Sequence, residues 1–367
     1  KKKKEFNKQM RKKREAIYKK GDKWSEFPKY ANRDWGRTIL KEKINVLKLQ
    51  KLLEPLMERY EKVIKAEYFE DYTLIVIEKD KINFSIIPVP NLLTWIYVAK
   101  QHTAFNILNA LEGDWINSTK NILDHIEFSK KAVKGSRTLI TNLVGKAVHK
   151  ISLLGIASIM NQPDCPEEVF ELITNNLDDI EYGEYSSRKP LLAEGFTMTG
   201  IKRTNPFWQT NRTKKYYYNF ITRVVNSEKT PPYKWDSAPN EIKNVKNGIF
   251  WWIQNPLGKK FFTEFNVNFP TVVLKSWHLK TTYDMVRISA ELHLKYDPAK
   301  SVQENLNGLE LYKSHFDPCS GKPYKWHEKK QMLYSFGADR DDDGGKDGPL
   351  TSWDADFFIP VHLYVNR

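Results

Sequence analysis

Hydrophobic residues recur at helical spacing between Ile39 and Phe69. Apolar side chains stand three to five positions apart there and charged side chains fill the intervals, as in Ile44, Leu47, Leu52, Leu56, Tyr60 and Ile64. This period is typical of a helix with one buried face. Pro55 lies inside the segment, and we expect it to kink or divide the helix because proline removes a backbone hydrogen bond.

A longer helical block extends from Asn91 to about Leu177. Gly113 suits the left-handed residue that closes a helix, and Asp114 suits the cap of the next one. Gly135 and Ser136 repeat this arrangement 22 residues later. Helices joined so closely are expected to fold back as antiparallel hairpins. The third helix carries one apolar stripe, formed by Leu139, Leu143, Ala147, Ile151 and Leu154, and a fourth begins with Glu167 and Glu168 in its first turn.

Short β-branched and aromatic runs predict strands in two places. Residues 72–77 and 83–88 flank a polar tetrapeptide and form a candidate hairpin. Residues 324–326 and 332–336 alternate like paired strands, and Thr271 to Tyr296 reads as a helix ahead of them. Between these segments, residues 178–270 lack a sustained apolar stripe, so we expect irregular structure with short helices, in which Trp251 and Trp252 serve packing.

The net charge of +14 is concentrated at the start of the chain. Residues 1–20 contain eleven Lys or Arg and two Glu, a net charge of +9, which leaves +5 for the other 347 residues. Such an arm suits three roles: a solvated helical stalk, attachment to an anionic membrane surface, or binding of nucleic-acid phosphates. A nucleic-acid partner is less favoured, because no nucleic-acid motif and no second basic segment accompany the arm.

The C-terminal third contains a series of motifs in a fixed order. They are Asp317-Pro318-Cys319-Ser320-Gly321-Lys322-Pro323-Tyr324-Lys325-Trp326, then Leu333-Tyr334-Ser335-Phe336-Gly337-Ala338-Asp339, then Gly344-Gly345, and finally Asp354-Ala355-Asp356. This order resembles the C-terminal β-region of the major pseudopilins of bacterial type II secretion systems, and also the tails of uncharacterised exported bacterial proteins with a helical region in front. With the preceding helix, the resemblance covers about residues 271–361.

The stretch from Asp339 to Asp356 is a candidate calcium site. It holds seven Asp against Arg340 and Lys346, and Asp339, Asp341 and Asp343 stand at alternate positions before a glycine, as in the opening of a calcium loop. An EF-hand would close with an acidic residue at position 350, which is Leu350, so the pattern does not favour a true EF-hand. The resemblance implies that Asp354 and Asp356 complete the shell, because pseudopilins bind calcium here. A solvated acidic loop is the alternative.

Motifs of catalysis are missing from the sequence. The G-x-S-x-G, P-loop, G-x-G-x-x-G and H-E-x-x-H patterns do not occur, and Lys146 follows Gly145 without the other glycines of a phosphate loop. We expect the scattered histidines to be structural or exposed. The two cysteines, Cys165 and Cys319, exclude a disulfide-dense scaffold, but their pairing stays open. No run of about 18 apolar residues predicts a membrane span.

We therefore expect an α+β protein with a helical-hairpin body and a small, pseudopilin-like antiparallel sheet. Its regions are a basic arm at 1–38, a helical body at 39–177 with a hairpin near 72–88, an aromatic irregular middle at 178–270, and a helix plus β module at 271–367. The resemblance implies a non-enzymatic, calcium-stabilised structural or interaction protein of a bacterial envelope or surface assembly, with protein partners. Assembly into a pilus-like fibre is not carried over, because the helix at 271–296 is internal.

The C-terminal motifs and the basic arm lead to different expectations about the cellular location of the protein and about its function. The C-terminal resemblance implies a periplasmic or surface location, with an anchor ahead of Lys1, whereas a spanning helix at that place would put the body of the protein in the cytoplasm by the positive-inside tendency. The alternative function is a cytoplasmic nucleic-acid-binding or scaffold protein that uses the arm. A hydrolase that uses paired carboxylates such as Asp354 and Asp356 is the third candidate.

Overall fold

The computed structural model describes residues 35–70, 77–78, 81–82, 92–180, 182–199, 210–235, 269–337, 339–345 and 357–363. Within them the chain is α+β, as predicted, with eleven α-helices and a three-stranded antiparallel sheet. The helices are α1 (Trp35–Lys41), α2 (Lys43–Ile64), α3 (Leu92–Leu111), α4 (Trp115–Gly135), α5 (Leu139–Met160), α6 (Glu167–Asn176), α7 (Arg188–Thr199), α8 (Thr210–Ser227), α9 (Phe269–Lys295), α10 (Val302–Gly308) and α11 (Glu310–Ser314). The strands are β1 (Ile77–Glu78), β2 (Lys81–Ile82), β3 (Lys325–His327), β4 (Met332–Ser335) and β5 (Phe357–Pro360).

The first predicted helix is divided, but not at its proline. The break lies at Glu42, between α1 and α2, and α2 continues through Pro55. Pro55 is exposed, so water can replace the backbone hydrogen bond that proline removes. The prediction that Pro55 divides the segment is therefore wrong. The hairpin near 72–88 is confirmed at its centre, where Ile77 pairs with Ile82 and Glu78 with Lys81; the rest of it lies outside the described residues.

In the block from α3 to α6, α3 packs against α4 and α4 against α5, as expected of hairpins, whereas α6 packs against α4 and α9. Gly113 ends α3 with a positive φ of 108°, as predicted. Asp114 takes the cap position of α4 but makes no capping hydrogen bond with its side chain. Thr138, rather than Ser136, caps α5, where its hydroxyl accepts from the backbone N–H of Thr141. The second junction thus differs from the first.

Gly135 is required at that second junction for space. It is the last residue of α4 and is not among the residues with positive φ. A Cβ atom at this position would lie 2.0 Å from the backbone carbonyl oxygen of Phe69. Glycine therefore lets the segment after α2 cross the end of α4, which sequence spacing alone does not reveal.

Helix α5 is buried on nearly all sides. It packs against α3, α4 and α9, with further contacts to α1, α7 and β5, so the single apolar stripe predicted for it describes only part of its buried surface. By length and composition α5 is long and apolar enough to cross a membrane, but 83% of its most apolar window is buried within the protein. That degree of burial is typical of a core helix.

The middle region, for which the sequence predicts irregular structure with short helices, contains two helices among its described residues. Helix α8 has 18 residues and α7 has 12, and the two pack on each other. A small core joins Ile221, Val224 and Val225 of α8 to Val273 and Trp277 of α9. The predicted helix at 271–296 is confirmed as α9, but it is buried along most of its length rather than on one face. Trp251 and Trp252 lie outside the described residues.

The C-terminal sheet has the order β3-β4-β5. Both predicted strands are present, and all four residues of the central strand β4 are buried. Leu333 and Ile359 face each other across β4 and β5 and join the main core. Met332, Tyr334 and Phe358 form a separate cluster on the other face of the sheet. Each face of this small sheet therefore has its own apolar layer.

Asn161, just after α5, ties the helical body to the last strand. Its side-chain Nδ2 donates to the carbonyl of Pro360 at 2.6 Å, and its Oδ1 accepts from the backbone N–H of His362 at 2.7 Å. One continuous core runs from Trp35 in α1 to Val361 beside the sheet. Both cysteines, whose pairing the sequence leaves open, are buried and do not form a disulfide with each other.

We predict that Asn161→Ala lowers the free energy of unfolding by about 2–4 kcal/mol, because it removes hydrogen bonds at both sides of one amide and leaves partly buried backbone groups unpaired. Asn176→Ala is the matched control. Among the described residues, the Asn176 side chain bonds only to the carbonyl four residues earlier, and it is exposed, so the loss on its removal is expected to be below about 1 kcal/mol. Urea unfolding measures both, and equal losses would contradict the assignment.

Candidate functional site

The turn that opens the C-terminal motif is organised by one buried carboxylate. Asp317 is 1% exposed, and its Oδ1 accepts from Cys319 N at 3.0 Å and from Ser335 Oγ at 2.6 Å. Its Oδ2 accepts from Ser320 N at 3.1 Å and from Phe336 N at 3.3 Å. The aspartate thus fixes the turn and joins it to the end of β4, which explains its place at the start of the motif.

The acidic loop lies on the outer face of the sheet. The carboxylate of Asp342 pairs with Lys325 of β3 and accepts from Tyr334 Oη of β4 at 3.1 Å. Lys330 Nζ donates to the carbonyls of Gly344 at 3.1 Å and Gly345 at 2.9 Å. Partial burial opposes ionisation of Asp342, but hydrogen bonds from Lys325, the Gly344 N–H and Tyr334 prevail and lower the pKa of its carboxyl. The loop is therefore attached to the sheet by two lysines and a tyrosine.

The predicted calcium ligands are only partly described. Asp339, Asp341 and Asp343 lie in this loop and are exposed, and Asp339 Oδ1 accepts from Asp341 N at 3.2 Å. Asp354 and Asp356 lie outside the described residues. Among the residues that are described, no three acidic, histidine or cysteine side chains converge as a metal site would require. Asp342 is not among the predicted ligands, yet it stands between them and makes the contacts with the sheet.

Histidines of three helices meet in the core. The rings of His102 in α3 and His125 in α4 have centroids 4.9 Å apart. His125 is hydrogen-bonded to Tyr60 Oη at 2.8 Å and to Ser152 Oγ at 2.9 Å. Burial lowers its pKa well below the ordinary value, and the nearby His102 and His149 lower it further. A neutral, fully bonded ring of this kind joins helices, as the sequence analysis expected of the histidines, although the residues are not scattered in space.

Lys146 of α5 is a basic side chain that is buried in the core. It is 4% exposed, and its Nζ donates to Ser187 Oγ and, at 2.7 Å, to Ser276 Oγ of α9. Burial lowers its pKa to about 7; the Glu228 carboxylate opposes this change and Lys275 adds to it. The sequence contains a signal for this buried lysine, because Lys146 interrupts an apolar helix between Val144 and Val148.

Two serines and a lysine with a lowered pKa are the groups of a serine–lysine acyl-transfer site, but the two serines are not accessible to a substrate. Ser187 and Ser276 are both 0% exposed, whereas a nucleophile has to reach its substrate. The Ser187 hydroxyl is also engaged by Asn142 at 3.0 Å, and the Ser187 N–H by Glu228 at 2.6 Å. The cluster therefore joins α5, α9 and the start of α7 through hydrogen bonds.

Comparisons with known proteins identify no relatives. No protein-family model matches the chain, and neither a curated protein nor a solved structure matches it. The resemblance to pseudopilins therefore rests on the C-terminal motifs alone.

The pKa of Lys146 predicts a pH dependence of stability. Its value is about 7 in the folded protein against 10.5 for a free side chain, so the unfolded chain binds more protons in between and stability rises with pH in that window. In Lys146→Met this contribution is absent, and each serine keeps another acceptor, namely the Asn142 amide oxygen or the Val272 carbonyl. The stability of the wild type relative to the variant should therefore rise by roughly 1.4 kcal/mol per pH unit between about pH 8 and 9.5.

Urea unfolding at the two pH values measures this rise. Lys62→Met, at an exposed position of α2, is the control and should leave the pH dependence unchanged. A Lys146→Met difference that is the same at both pH values would show that Lys146 is charged throughout.

Proposed function

We propose that the protein is a non-enzymatic structural or interaction protein of a bacterial envelope or surface assembly, in which calcium stabilises a pseudopilin-like C-terminal module. The observation that carries the proposal is the attachment of the acidic loop to the outer face of the sheet. Lys325 and Lys330 hold one side of this loop, and Asp339, Asp341 and Asp343 are left exposed.

The loop geometry is compatible with a cation at the alternate aspartates. Asp342 is engaged by Lys325 and Tyr334, so its charge is already balanced by the sheet. The flanking Asp341 and Asp343 are exposed next to it, and like charges this close repel one another unless water or a cation intervenes. Calcium takes six to eight oxygen ligands, and Asp354 and Asp356 are the further carboxylates proposed for it.

The buried reactive groups support a non-enzymatic role. Ser187, Ser276 and His125 are 0% exposed, and each is hydrogen-bonded within the protein. Burial also raises the pKa of the Cys319 thiol well above its ordinary value, with the Asp317 carboxylate as a second cause, which keeps this thiol protonated and unreactive. These groups contribute to folding rather than to a surface where a substrate could bind.

Calcium is predicted to stabilise the chain of residues 1–367. At millimolar concentration it should raise the midpoint of thermal unfolding by roughly 2–5 °C, and a chelator should reverse the increase. The double variant Asp341→Asn/Asp343→Asn should lose most of this response. Asp124→Asn, at an exposed aspartate of α4, removes a charge elsewhere and should keep it. An unchanged midpoint with calcium and on chelation would refute the calcium part of the proposal.

Attachment to an anionic membrane through residues 1–20 is the proposed role of the basic arm. We expect the full chain to bind vesicles that contain anionic lipid but not neutral vesicles, and a variant without residues 1–20 to lose this binding. Sedimentation with vesicles measures both. Binding of duplex DNA that persists at about 0.2 M salt would instead support the alternative of a cytoplasmic nucleic-acid-binding protein.

A further inference from the structure

Two buried histidines of the α4–α5 hairpin are bonded in the same way. His125 of α4 contacts Ser152 Oγ of α5 at 2.9 Å, and His149 of α5 contacts Ser129 Oγ of α4, also at 2.9 Å. Both histidines use Nδ1 for this contact, and both rings are fully buried. The hairpin is therefore crossed twice by the same pair of side chains, once from each helix.

The hydrogen-bond network assigns the tautomer of His125. The Ser152 hydroxyl has one hydrogen, which it donates to the Val148 carbonyl at 3.1 Å, so its oxygen accepts from the Nδ1–H of His125. Nε2 therefore carries no hydrogen and accepts from Tyr60 Oη at 2.8 Å. Tyr60 Oη accepts in turn from Trp95 Nε1 at 2.9 Å. Each donor in this series has an acceptor only while the ring of His125 is neutral.

The same reasoning assigns the tautomer of His149. Ser129 donates to the Ile126 carbonyl at 2.6 Å, so its oxygen accepts from the Nδ1–H of His149. Nε2 then accepts from Tyr185 Oη at 3.0 Å. Each histidine thus holds a tyrosine from outside the hairpin, since Tyr60 belongs to α2 and Tyr185 to the turn before α7. These two bonds attach the neighbouring segments to the hairpin.

Protonation of His125 is incompatible with its bond to Tyr60. A charged imidazole donates from both nitrogens, so Nε2 can no longer accept the Tyr60 hydroxyl, which has no second acceptor among the described residues. The titratable groups that face His125 are Tyr60 of α2, His102 of α3 and His149 of α5. None of these three is a carboxylate that could balance a positive charge. Burial, together with the two other histidines, lowers the pKa of His125 well below its ordinary value.

Helix α2 covers both His125 and His102. The ring of Tyr60 lies edge-on to the two histidine rings, with centroid distances of 5.5 Å to His125 and 5.8 Å to His102. The buried face of α2 consists of Val46, Leu49, Leu53, Met57, Tyr60 and Ile64. The opposite side of α2 is exposed, whereas α5 is buried on nearly all sides. Helix α2 can therefore separate from the histidines while α5 stays in the core.

We propose that His125 and His102 form an acid-sensitive clasp that releases α2 from the helical body. At pH 7 both rings are neutral, because burial lowers the pKa of His102 to about 4 and that of His125 well below its ordinary value. Release exposes both rings to water and restores their ordinary pKa of about 6.5. The released state therefore binds protons that the closed state does not, and its population rises as the pH falls below about 6.5. The apolar face of α2 becomes exposed at the same time.

Hydrogen exchange of backbone amides in the chain of residues 1–367, corrected for the intrinsic rate at each pH, tests the clasp. Between pH 7 and pH 5, each histidine that release exposes should raise the open population of α2 about 25-fold, and two histidines about 600-fold. Amides of α5 should lose far less protection. Equal losses in α2 and α5 would show global unfolding and would overturn the clasp, as would unchanged protection of α2. This comparison needs only the wild type.

His125→Gln separates the contribution of the two histidines. The glutamine amide oxygen can still accept from Tyr60, but only His102 remains to take up a proton, so the acid response of α2 should fall from about 600-fold to about 25-fold. His327→Gln, at a half-buried histidine of β3, is the matched control and should keep the full response. A full response in His125→Gln would overturn the role of His125.

Tyr60→Phe tests the hydroxyl that holds α2. Without it the bond to His125 is absent at every pH, so the amides of α2 should already exchange at least about tenfold faster at pH 7. Tyr68→Phe, at a tyrosine that is 74% exposed, removes a hydroxyl without such a bond and should leave this rate unchanged. Equal exchange in Tyr60→Phe and the wild type at pH 7 would overturn the part of the clasp assigned to Tyr60.

Discussion

Burial of α5 on nearly all sides is the constraint on which the rest of the structure depends. A helix without a solvent face has to find partners inside the protein for each of its polar side chains, because an unpaired buried polar group is strongly destabilising. Asn142, Lys146, His149, Ser152 and Asn161 stand along this segment, and each bonds to a different neighbour. These bonds select which elements can surround the helix, whereas apolar packing alone would accept many arrangements.

The C-terminal module is joined to this body through the second buried helix, α9. Tyr324 begins the strand region and donates its hydroxyl to Asp284 of α9 at 3.2 Å, while Lys280 binds the same carboxylate at 2.9 Å. Tyr312 then donates to the Tyr324 carbonyl at 2.6 Å. A chain of hydrogen bonds thus fixes the position of the sheet on the helices. Any loop that the sheet presents, including the acidic one, is held on a rigid support.

Elements with a local signal were predictable from sequence. The helices of the block from α3 to α6, helix α9 and strands β3 and β4 have clear periodicity or turn residues, and all are present. The length of helix α8 was not predicted, because its buried residues Ile221, Val224 and Val225 follow a polar and aromatic segment. Local pattern gives no information about what such a short apolar group packs against.

The side-chain pairings that the sequence did not predict join residues that are far apart in the chain. The regular alternation of Asp339, Asp341 and Asp343 suggested a cation loop, but nothing local marks Asp342 as the partner of Lys325, which lies 17 residues earlier. Lys146 was noticeable in an apolar helix, yet its bond to Ser276 spans 130 residues. Pairings of this kind arise from tertiary packing, which the sequence period does not encode.

The bonds of Asn161 have a consequence for the order in which the chain folds. They reach residues 199 and 201 positions further along, so the amide at the end of α5 cannot make these two bonds until β5 and the residues after it have been synthesised. During translation the helical hairpins can form early from contacts close in sequence, whereas the sheet has to wait for its third strand. The end of the central helix is therefore bonded to the sheet only after β5 has been synthesised, and β5 then completes this part of the core.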